Sequence, residues 1–223
     1  MISSSMNRPL LLGHRGVRGL KSISENTFSA FDRALADGCD GFEFDVRRAA
    51  DGTPVLCHDP RVGEIVIAEA SVAELGPMPR LADVLVRYHE RAFLDLELKV
   101  VGLEKIAATL FRENLPRRGF VVSSFLPEAL HAVHAEDSSV PLGLICETHT
   151  QLRDWRKLPI DYVIPHYRLV DCTLLAGIKD ARKKVLVWTV NSTAEMRNWA
   201  QMGVDGIISD HTRLLCQTLS GLD

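Results

Sequence analysis

Three apolar runs near the start of the chain carry ionisable side chains: LLLGHRG (residues 10–16), GFEFDV (41–46) and PVLCHD (54–59). Buried strands normally exclude charge, because an unpaired charge in a low-dielectric interior is costly. Four strong polar groups nevertheless stand on these runs: His14, Glu43, Asp45 and His58. The runs therefore predict the first strands of the fold and, on them, a functional site.

The second and third runs predict a β-hairpin. Asp51-Gly52 lies between them, and this dipeptide suits a two-residue turn because Gly tolerates positive φ. With that turn, antiparallel pairing places Asp45 opposite His58, on the same face as Glu43. A crossover between parallel strands would need more residues than lie between these two runs.

The remaining chain alternates apolar strands with amphipathic helices. Leaving out the return arm of the hairpin, the predicted strands cover residues 9–13, 41–48, 93–99, 120–124, 141–146, 162–165, 185–190 and 206–209. Eight such units favour a closed parallel barrel covered by helices. We expect Ser24 or Asn26 to cap the first helix. The predicted fold is therefore α/β, a single (β/α)8 TIM barrel over residues 1–223, with a β-hairpin after strand 2 and a short insertion at 60–78.

Composition narrows the class of protein. Hydrophobic residues make up 46% and charged residues 25%, with a net charge of −3, so no basic face for nucleic acid is expected. No signal peptide or bilayer-spanning run is visible, and we expect no stable membrane insertion. Five dispersed cysteines without a CxxC pair indicate reduced thiols in a cytoplasmic protein. Strand alternation points Cys57 away from His58, which argues against a nucleophilic role. The sequence leaves the oligomeric state open.

Three carboxylates are predicted to meet at one mouth of the barrel, where the strands end. Glu43 and Asp45 stand on strand 2 and Glu97 late on the strand at 93–99. Together they would repel one another, and a hard divalent cation, Mg²⁺ or Ca²⁺, would resolve the repulsion with oxygen ligands. The alternative is a set of salt bridges to the neighbouring cations Arg47, Arg48 and Lys99.

Two histidines lie beside this predicted metal site. His14 follows strand 1 and His58 ends the hairpin. Imidazole titrates near neutral pH, so the pair suits general acid/base catalysis: one deprotonates an attacking hydroxyl or water and the other protonates a leaving alkoxide. The other histidines are expected on helices or loops. Among them, His166 is the one further candidate for the site.

Cations and an aromatic residue complete the predicted site. Arg15 offers a planar fork for a phosphate and Lys99 a point charge, which together would neutralise a phosphodiester. Arg15 would alternatively pair with Glu25 or Asp59. Trp188 is either plain core or a wall beside the alcohol group.

The ordered motifs resemble the glycerophosphodiester phosphodiesterase family. They are His14-Arg15-Gly16, Glu25-Asn26-Thr27, Glu43-Phe44-Asp45-Val46, Asp51-Gly52-Thr53-Pro54-Val55, His58-Asp59, Glu97-Leu98-Lys99 and Trp188-Thr189-Val190-Asn191. The resemblance spans nearly the whole chain. It implies a TIM barrel that cleaves a small-molecule glycerophosphodiester to glycerol 3-phosphate and an alcohol. It leaves open whether water or a substrate hydroxyl attacks first.

The same resemblance implies a role for each site residue. The implied metal ligands for Mg²⁺ or Ca²⁺ are Glu43, Asp45 and Glu97. The implied acid/base groups are His14 and His58, and the implied phosphate contacts are Arg15 and Lys99.

The chain departs from the family pattern in two places. The insertion from Pro60 to Pro79 is shorter than is usual, and Ser209-Asp210-His211-Thr212 stands where Thr-Asp-Pro is common. A more open mouth would admit a lysophospholipid, which makes a lysophospholipase D one alternative. The others are a non-catalytic phosphodiester-binding barrel and a different metal-dependent barrel hydrolase that acts on a carboxylate or sugar phosphate.

Overall fold

The structure is a computed structural model that describes residues 8–220. Its strands are, in chain order, β1 (Leu10–Gly13), β2 (Gly41–Arg48), β3 (Pro54–Leu56), β4 (Arg61–Val62), β5 (Ile65–Val66), β6 (Phe93–Leu98), β7 (Phe120–Ser124), β8 (Leu142–Cys146), β9 (Tyr162–Pro165), β10 (Lys184–Val187) and β11 (Gly206–Ser209). Its α-helices are α1 (Phe28–Ala36), α2 (Val72–Leu75), α3 (Leu81–Tyr88), α4 (Glu104–Glu113), α5 (Pro127–Glu136), α6 (His149–Leu152), α7 (Cys172–Asp180), α8 (Thr193–Met202) and α9 (Thr212–Leu219).

Eight parallel strands close into a barrel. The order around it is β1, β2, β6, β7, β8, β9, β10 and β11, and β11 pairs with β1 to complete the ring. Helices follow the strands and cover the outside, which is the (β/α)8 architecture predicted from the sequence. Within residues 8–220 no helix is long and apolar enough to cross a membrane.

Strand β2 shows how alternation divides the sequence between two environments. Phe42 and Phe44 point outward into the layer under the helices, where Phe42 stacks on Phe31 with ring centroids 4.2 Å apart. Glu43 and Asp45 point the opposite way, into the barrel, because successive strand residues face opposite sides. Gly41 allows β2 to approach β6, since a Cβ there would lie 1.8 Å from the Phe93 carbonyl oxygen.

The interior of the barrel is apolar at its closed end. Side chains from seven of the eight strands fill it and form one buried cluster: Leu12, Phe93, Val121, Ile145, Tyr162, Ile164, Leu186 and Ile208. This cluster is a packed floor, and the polar side chains described below lie above it towards the carboxyl ends of the strands. The barrel is therefore solid below its mouth.

The β2–β3 hairpin forms, but its predicted register is wrong. Val46 pairs with Leu56 and Arg48 with Pro54, so the connection is longer than the two-residue turn expected at Asp51-Gly52. The Cys57 N–H donates to the Asp45 carbonyl at 3.1 Å. Asp45 therefore faces Cys57 rather than His58, which lies beyond the end of β3.

The cap of α1 differs from the prediction, and the structure adds detail to the predicted insertion. Thr27, rather than Ser24 or Asn26, caps α1, with its side chain accepting from the Ala30 N–H at 3.3 Å. The predicted insertion holds the β4–β5 hairpin and the short helix α2. Val72 and Leu75 of α2 form a satellite cluster with Val55 of β3.

The packing of Phe42 against neighbouring aromatic rings leads to a prediction about stability. Phe42→Ala removes a fully buried ring that stacks on Phe31 and meets Tyr88 edge-on, with centroids 5.0 Å apart. Loss of that burial and the resulting cavity should lower the free energy of unfolding by about 3–5 kcal/mol. Urea unfolding measures the change. Val86→Ala, at a position 63% exposed, is the control and should change the free energy by less than about 0.5 kcal/mol.

Candidate active site

A cavity of about 330 Å³ opens at the carboxyl ends of the barrel strands. It is lined by His14, Arg15, Glu43, His58, Asp95, Glu97, Lys99, Phe125, Ile145, Glu147, Ile164, Trp188 and Ile208. Every site residue predicted from the sequence lies in this lining except Asp45, which is fully buried behind it. The structure thus brings the predicted residues together at one place.

Three of the carboxylates form a compact cluster. Glu43, Asp45 and Glu97 each offer an oxygen, and these oxygens all lie within 4.8 Å of one another. Asp45 and Glu97 are register partners on the adjacent strands β2 and β6. Glu43 Oε1 and Asp45 Oδ1 are buried and accept no hydrogen bond within the described part of the chain. Carboxylate oxygens at this spacing, two of them without a hydrogen bond, fit a hard divalent cation, and these three residues would hold it.

The charges in the cluster are unevenly compensated. Burial raises the pKa of Glu43 well above its usual value, and repulsion from Asp45 and Glu97 adds to the effect. Burial, together with Asp45, also raises the pKa of Glu97, to about 7. The pKa of Asp45 is lowered despite its burial, because Arg15 and Lys99 stabilise its charge. A bound cation would favour the ionised form of all three groups.

Asp95 is a fourth carboxylate beneath this cluster, and it is not among the site residues predicted from the sequence. It pairs with Glu43 across β2 and β6 and is 1% exposed. Ser123 donates to its Oδ1 at 2.6 Å, while Oδ2 has no partner within residues 8–220. Burial raises the pKa of Asp95 to about 7. The strict alternation of Asp95, Glu97 and Lys99 along one strand was the signal that could have identified it.

Two cations lie against the carboxylates. Lys99 Nζ lies 2.6 Å from Glu97 Oε1 and 3.4 Å from Asp45 Oδ1. Arg15 Nε lies 3.2 Å from Asp45 Oδ2, and its NH1 donates to Glu25 at 2.7 Å. The salt bridges considered from the sequence are therefore present for Lys99, and Arg15 does pair with Glu25. Both cations also line the cavity, so these ion pairs hold them where an anionic ligand would meet them.

His14 is held by residues from the far end of the chain. Its Nδ1 lies 2.7 Å from Asp210 Oδ1, and Asn191 donates to the other oxygen of Asp210 at 2.7 Å. Although burial opposes it, these bonds lower the pKa of Asp210 to about 2. An ionised carboxylate only accepts hydrogen bonds, so Nδ1 carries the hydrogen. Nε2 is then left to face the cavity, 3.8 Å from Glu43 Oε2.

His58 has a similar carboxylate partner, supplied by its neighbour in the sequence. Its Nδ1 lies 2.7 Å from Asp59 Oδ1, and the pKa of Asp59 is lowered by this hydrogen bond and by the charge of His58. The Arg47 guanidinium fixes the backbone by donating to the His58 carbonyl at 2.8 Å from Nε. The two histidines thus reach one cavity, each with Nδ1 bound to a carboxylate.

The β1–α1 loop positions the cluster from outside. Asn26 Nδ2 donates to Asp45 Oδ2 at 2.8 Å, and the Asp45 N–H donates to Asn26 Oδ1 at 3.1 Å. Arg15 has a φ of 51°, and its N–H donates to Glu43 Oε2 at 3.0 Å. Gly16 is required here because a Cβ would lie 2.7 Å from the backbone of Ala30. From the sequence, Asn26 is expected only as a possible cap of α1, and its contact with Asp45 is not predicted.

Aromatic side chains form one wall of the cavity. Trp188 and Phe125 meet edge to face, with ring centroids 5.7 Å apart. Trp188 Nε1 donates to the Ile164 carbonyl at 2.9 Å, which anchors the ring. His166, held in reserve from the sequence, packs against Trp188 and does not line the cavity. Trp188 packs on the interior floor and also borders the cavity.

The barrel, the acidic cluster and the two histidine–carboxylate pairs define a barrel hydrolase. The profile of the glycerophosphoryl diester phosphodiesterase family matches residues 14–76 and 81–214. The chain therefore belongs to this family, and the phosphodiesterase predicted from the sequence is confirmed as its enzyme class.

Known proteins resemble the chain over nearly its whole length. A glycerophosphodiester phosphodiesterase from Caldanaerobacter subterraneus subsp. tengcongensis is 27% identical over 93% of this chain and 96% of its own length. A phosphodiesterase structure from Oleispira antarctica, in complex with the product sn-glycerol-3-phosphate, has a TM-score of 0.83 and 24% identity, covering 96% of this chain and 98% of that one. A glycerophosphodiester phosphodiesterase structure from Agrobacterium tumefaciens str. C58 has a TM-score of 0.83 and 22% identity, covering 96% and 100%. These structures support the barrel fold.

The raised pKa values predict how cation binding depends on pH. At pH 8 the carboxylates of Glu97 and Asp95, with pKa values of about 7, are mostly ionised, whereas at pH 6 they are mostly protonated. Saturating Mg²⁺ or Ca²⁺ should therefore raise Tm more at pH 8 than at pH 6. At about 100 times Kd the stabilisation is about 2.7 kcal/mol, or roughly 5–10 °C for a chain of this size.

Without a bound cation, Glu97 and Asp95 make the folded protein less stable as the pH rises. Their folded pKa values exceed their unfolded ones, so their contribution to stability falls as the pH rises from about 4 to about 7. Differential scanning calorimetry of the wild type and of Glu97→Gln measures both effects. Glu147→Gln, which changes a carboxylate of the mouth outside the cluster, is the control and should keep the wild-type response. An equal Tm increment at both pH values would contradict the assignment.

Proposed function

We propose that the enzyme hydrolyses glycerophosphodiesters to glycerol 3-phosphate and an alcohol in a reaction that depends on a divalent cation and on two histidines. The observation that carries the proposal is the convergence of the acidic cluster, two cations and two histidine–carboxylate pairs on one cavity. The product complex of the Oleispira antarctica relative supports a site for the same phosphate ester.

Arg15 and Lys99 are the proposed phosphate contacts. Both lie at the boundary between the carboxylate cluster and the open cavity, and both already balance negative charge on Asp45. With a cation in the cluster, the carboxylates would need less compensation from these side chains. Their N–H donors would then be available to stabilise the negative charge that grows on the phosphate in the transition state.

His14 and His58 are the proposed groups for proton transfer. Each has its Nδ1 bound to a carboxylate, Asp210 or Asp59, which leaves Nε2 to exchange the proton. One imidazole accepts the proton of the attacking water or substrate hydroxyl and the other donates a proton to the departing alkoxide. The carboxylate partners stabilise the imidazolium form that each histidine passes through.

Glu43, Asp45 and Glu97 would hold the cation, which we infer to be Mg²⁺ or Ca²⁺ because every proposed ligand is a carboxylate oxygen. When bound, it would supply positive charge that neutralises the phosphodiester and its transition state. Trp188 and Phe125 would border the alcohol group. We further infer a cytoplasmic enzyme with a small-molecule substrate and no nucleic-acid partner, on the basis of its dispersed thiols and its net charge of −3.

A substrate assay tests the reaction and its cation. Glycerophosphocholine should release glycerol 3-phosphate and choline, with both products quantified by coupled assays. EDTA should abolish turnover because the carboxylate cluster loses its neutralising charge, and Mg²⁺ or Ca²⁺ should restore it. Full turnover in chelator would overturn the cation assignment. Binding of glycerophosphocholine without product would favour a non-catalytic barrel.

Substitution of the histidines tests their role. His14→Ala and His58→Ala should each reduce kcat by at least about 10²-fold, because each removes an acid/base group. His131→Ala on α5 changes an exposed histidine far along the chain from the site motifs and should leave kcat unchanged. Thermal melts establish that each variant is folded. Wild-type rates in both site variants would exclude acid/base catalysis by this pair.

A lysophospholipase D activity is the second candidate, and the β4–β5 hairpin favours it. Val62 and Ile65 on this hairpin are 37% and 41% exposed. Val62 lines a cleft of about 290 Å³ that shares His58 with the main cavity and is also lined by Leu56, Pro77 and Met78. Choline release from lysophosphatidylcholine at a kcat/KM above that for glycerophosphocholine would establish this activity.

A further inference from the structure

A second cluster of reactive side chains lies at the opposite end of the barrel. Cys39 stands in the loop between α1 and β2, and Cys216 stands in α9. Their Sγ atoms are 3.6 Å apart although 177 positions separate them in the chain. Because β2 begins just after Cys39, the pair lies at the amino ends of the strands, away from the catalytic cavity.

The surrounding backbone already brings the two thiols together. Thr212 Oγ1 donates to Asp37 Oδ2 at 2.6 Å and ties the start of α9 to the end of α1. A Cβ added to Gly38 would lie 3.7 Å from both Cβ and Sγ of Cys216. The sulfurs need to approach by only about 1.5 Å to reach disulfide bonding distance, a change within reach of side-chain rotation.

The two thiols differ in character. Hydrogen bonding between them raises the pKa of Cys39, and its burial adds to the rise. The same hydrogen bond lowers the pKa of Cys216, which makes Cys216 the better nucleophile. Cys216 also lines a surface cleft of about 350 Å³ together with Arg8 and Gln217, so a small oxidant can approach it. By contrast, burial raises the pKa of Cys146 to about 12.

We propose that a hydroperoxide oxidises Cys39 and Cys216, which then form a disulfide with each other. The Cys216 thiolate attacks the terminal peroxide oxygen, breaks the O–O bond and becomes a sulfenic acid, while the other oxygen leaves as water or an alcohol after taking up a proton. The Cys39 sulfur then attacks the sulfenic sulfur and expels water. With hydrogen peroxide, two thiols and one peroxide give one disulfide and two waters.

The disulfide would link the segment before β2 to the last helix. Helix α9 follows β11, the strand that closes the barrel against β1. The bond would thus cross-link both sides of that closure and restrict the unfolded chain over a loop of 177 positions, which raises Tm. Since the pair lies at the end of the barrel away from the cavity, kcat should not change.

The test uses the full chain carrying Cys172→Ala, which removes an exposed thiol that would otherwise cross-link molecules. The reduced protein is treated with hydrogen peroxide, digested without reductant and mapped by mass spectrometry. We expect a peptide pair joined through Cys39 and Cys216, a mass loss of two hydrogens, and a Tm increase of at least about 5 °C that dithiothreitol reverses.

Cys39→Ala and Cys216→Ala, each in the same background, should lose both the cross-link and the Tm increase. Cys146→Ala is the matched control for loss of a buried thiol and should retain both. The peptide map of the Cys172→Ala protein is decisive even if one of these further variants fails to fold. The proposal is overturned if both thiols stay free, if Cys216 proceeds to sulfinic acid without a cross-link, or if the disulfide joins another pair.

Discussion

Desolvated negative charge inside the barrel is the constraint on which the site depends. Alternation along β2 and β6 turns four carboxylates inward while their apolar neighbours pack against the helices; the four are Glu43, Asp45, Asp95 and Glu97. A slip of one residue would bury the phenylalanines of β2 inside the barrel and place its acids under the helices. The register therefore sets both the core and the site.

Four carboxylates in a low-dielectric interior cannot all stay ionised without positive charge beside them. Arg15 and Lys99 provide enough to lower the pKa of Asp45, but the pKa of Glu43 remains far above its usual value. This residual imbalance is the physical reason to assign a divalent cation to the cluster. The packed apolar floor below excludes water and strengthens each of these interactions.

The sequence predicts the barrel and most of the site because both follow from local periodicity. The acids of β2 and β6 can be recognised because they alternate with apolar residues, and the two imidazoles because they directly follow apolar runs. The hairpin register was not predictable, because the Ala49 N–H bonds to the Thr53 carbonyl at 3.0 Å and the connection is wider than a two-residue turn. His58 nevertheless reaches the cavity, since it lies past the paired strand and is free of the ladder.

Residues that act through tertiary contacts were harder to predict. Asn26 looks like a helix cap in the sequence, whereas in the fold it bonds Asp45 through both its amide oxygen and its nitrogen. Asp210 shows only as a charge after the last strand, and its bond to His14 spans 196 positions. No local pattern encodes a contact of that length.

The two histidines consequently differ in what keeps them oriented. His58 takes its carboxylate from the adjacent residue, so its hydrogen bond survives local distortion of the barrel. His14 takes its carboxylate from the residue after β11, so its orientation requires β11 to stay paired with β1. Cys39 and Cys216 meet beside the same closure, at the opposite end of the barrel. Closure of the barrel thus couples the two ends of the chain to the orientation of the His14 imidazole. Weakening the pairing of β11 with β1 would disorder His14 before it affected His58.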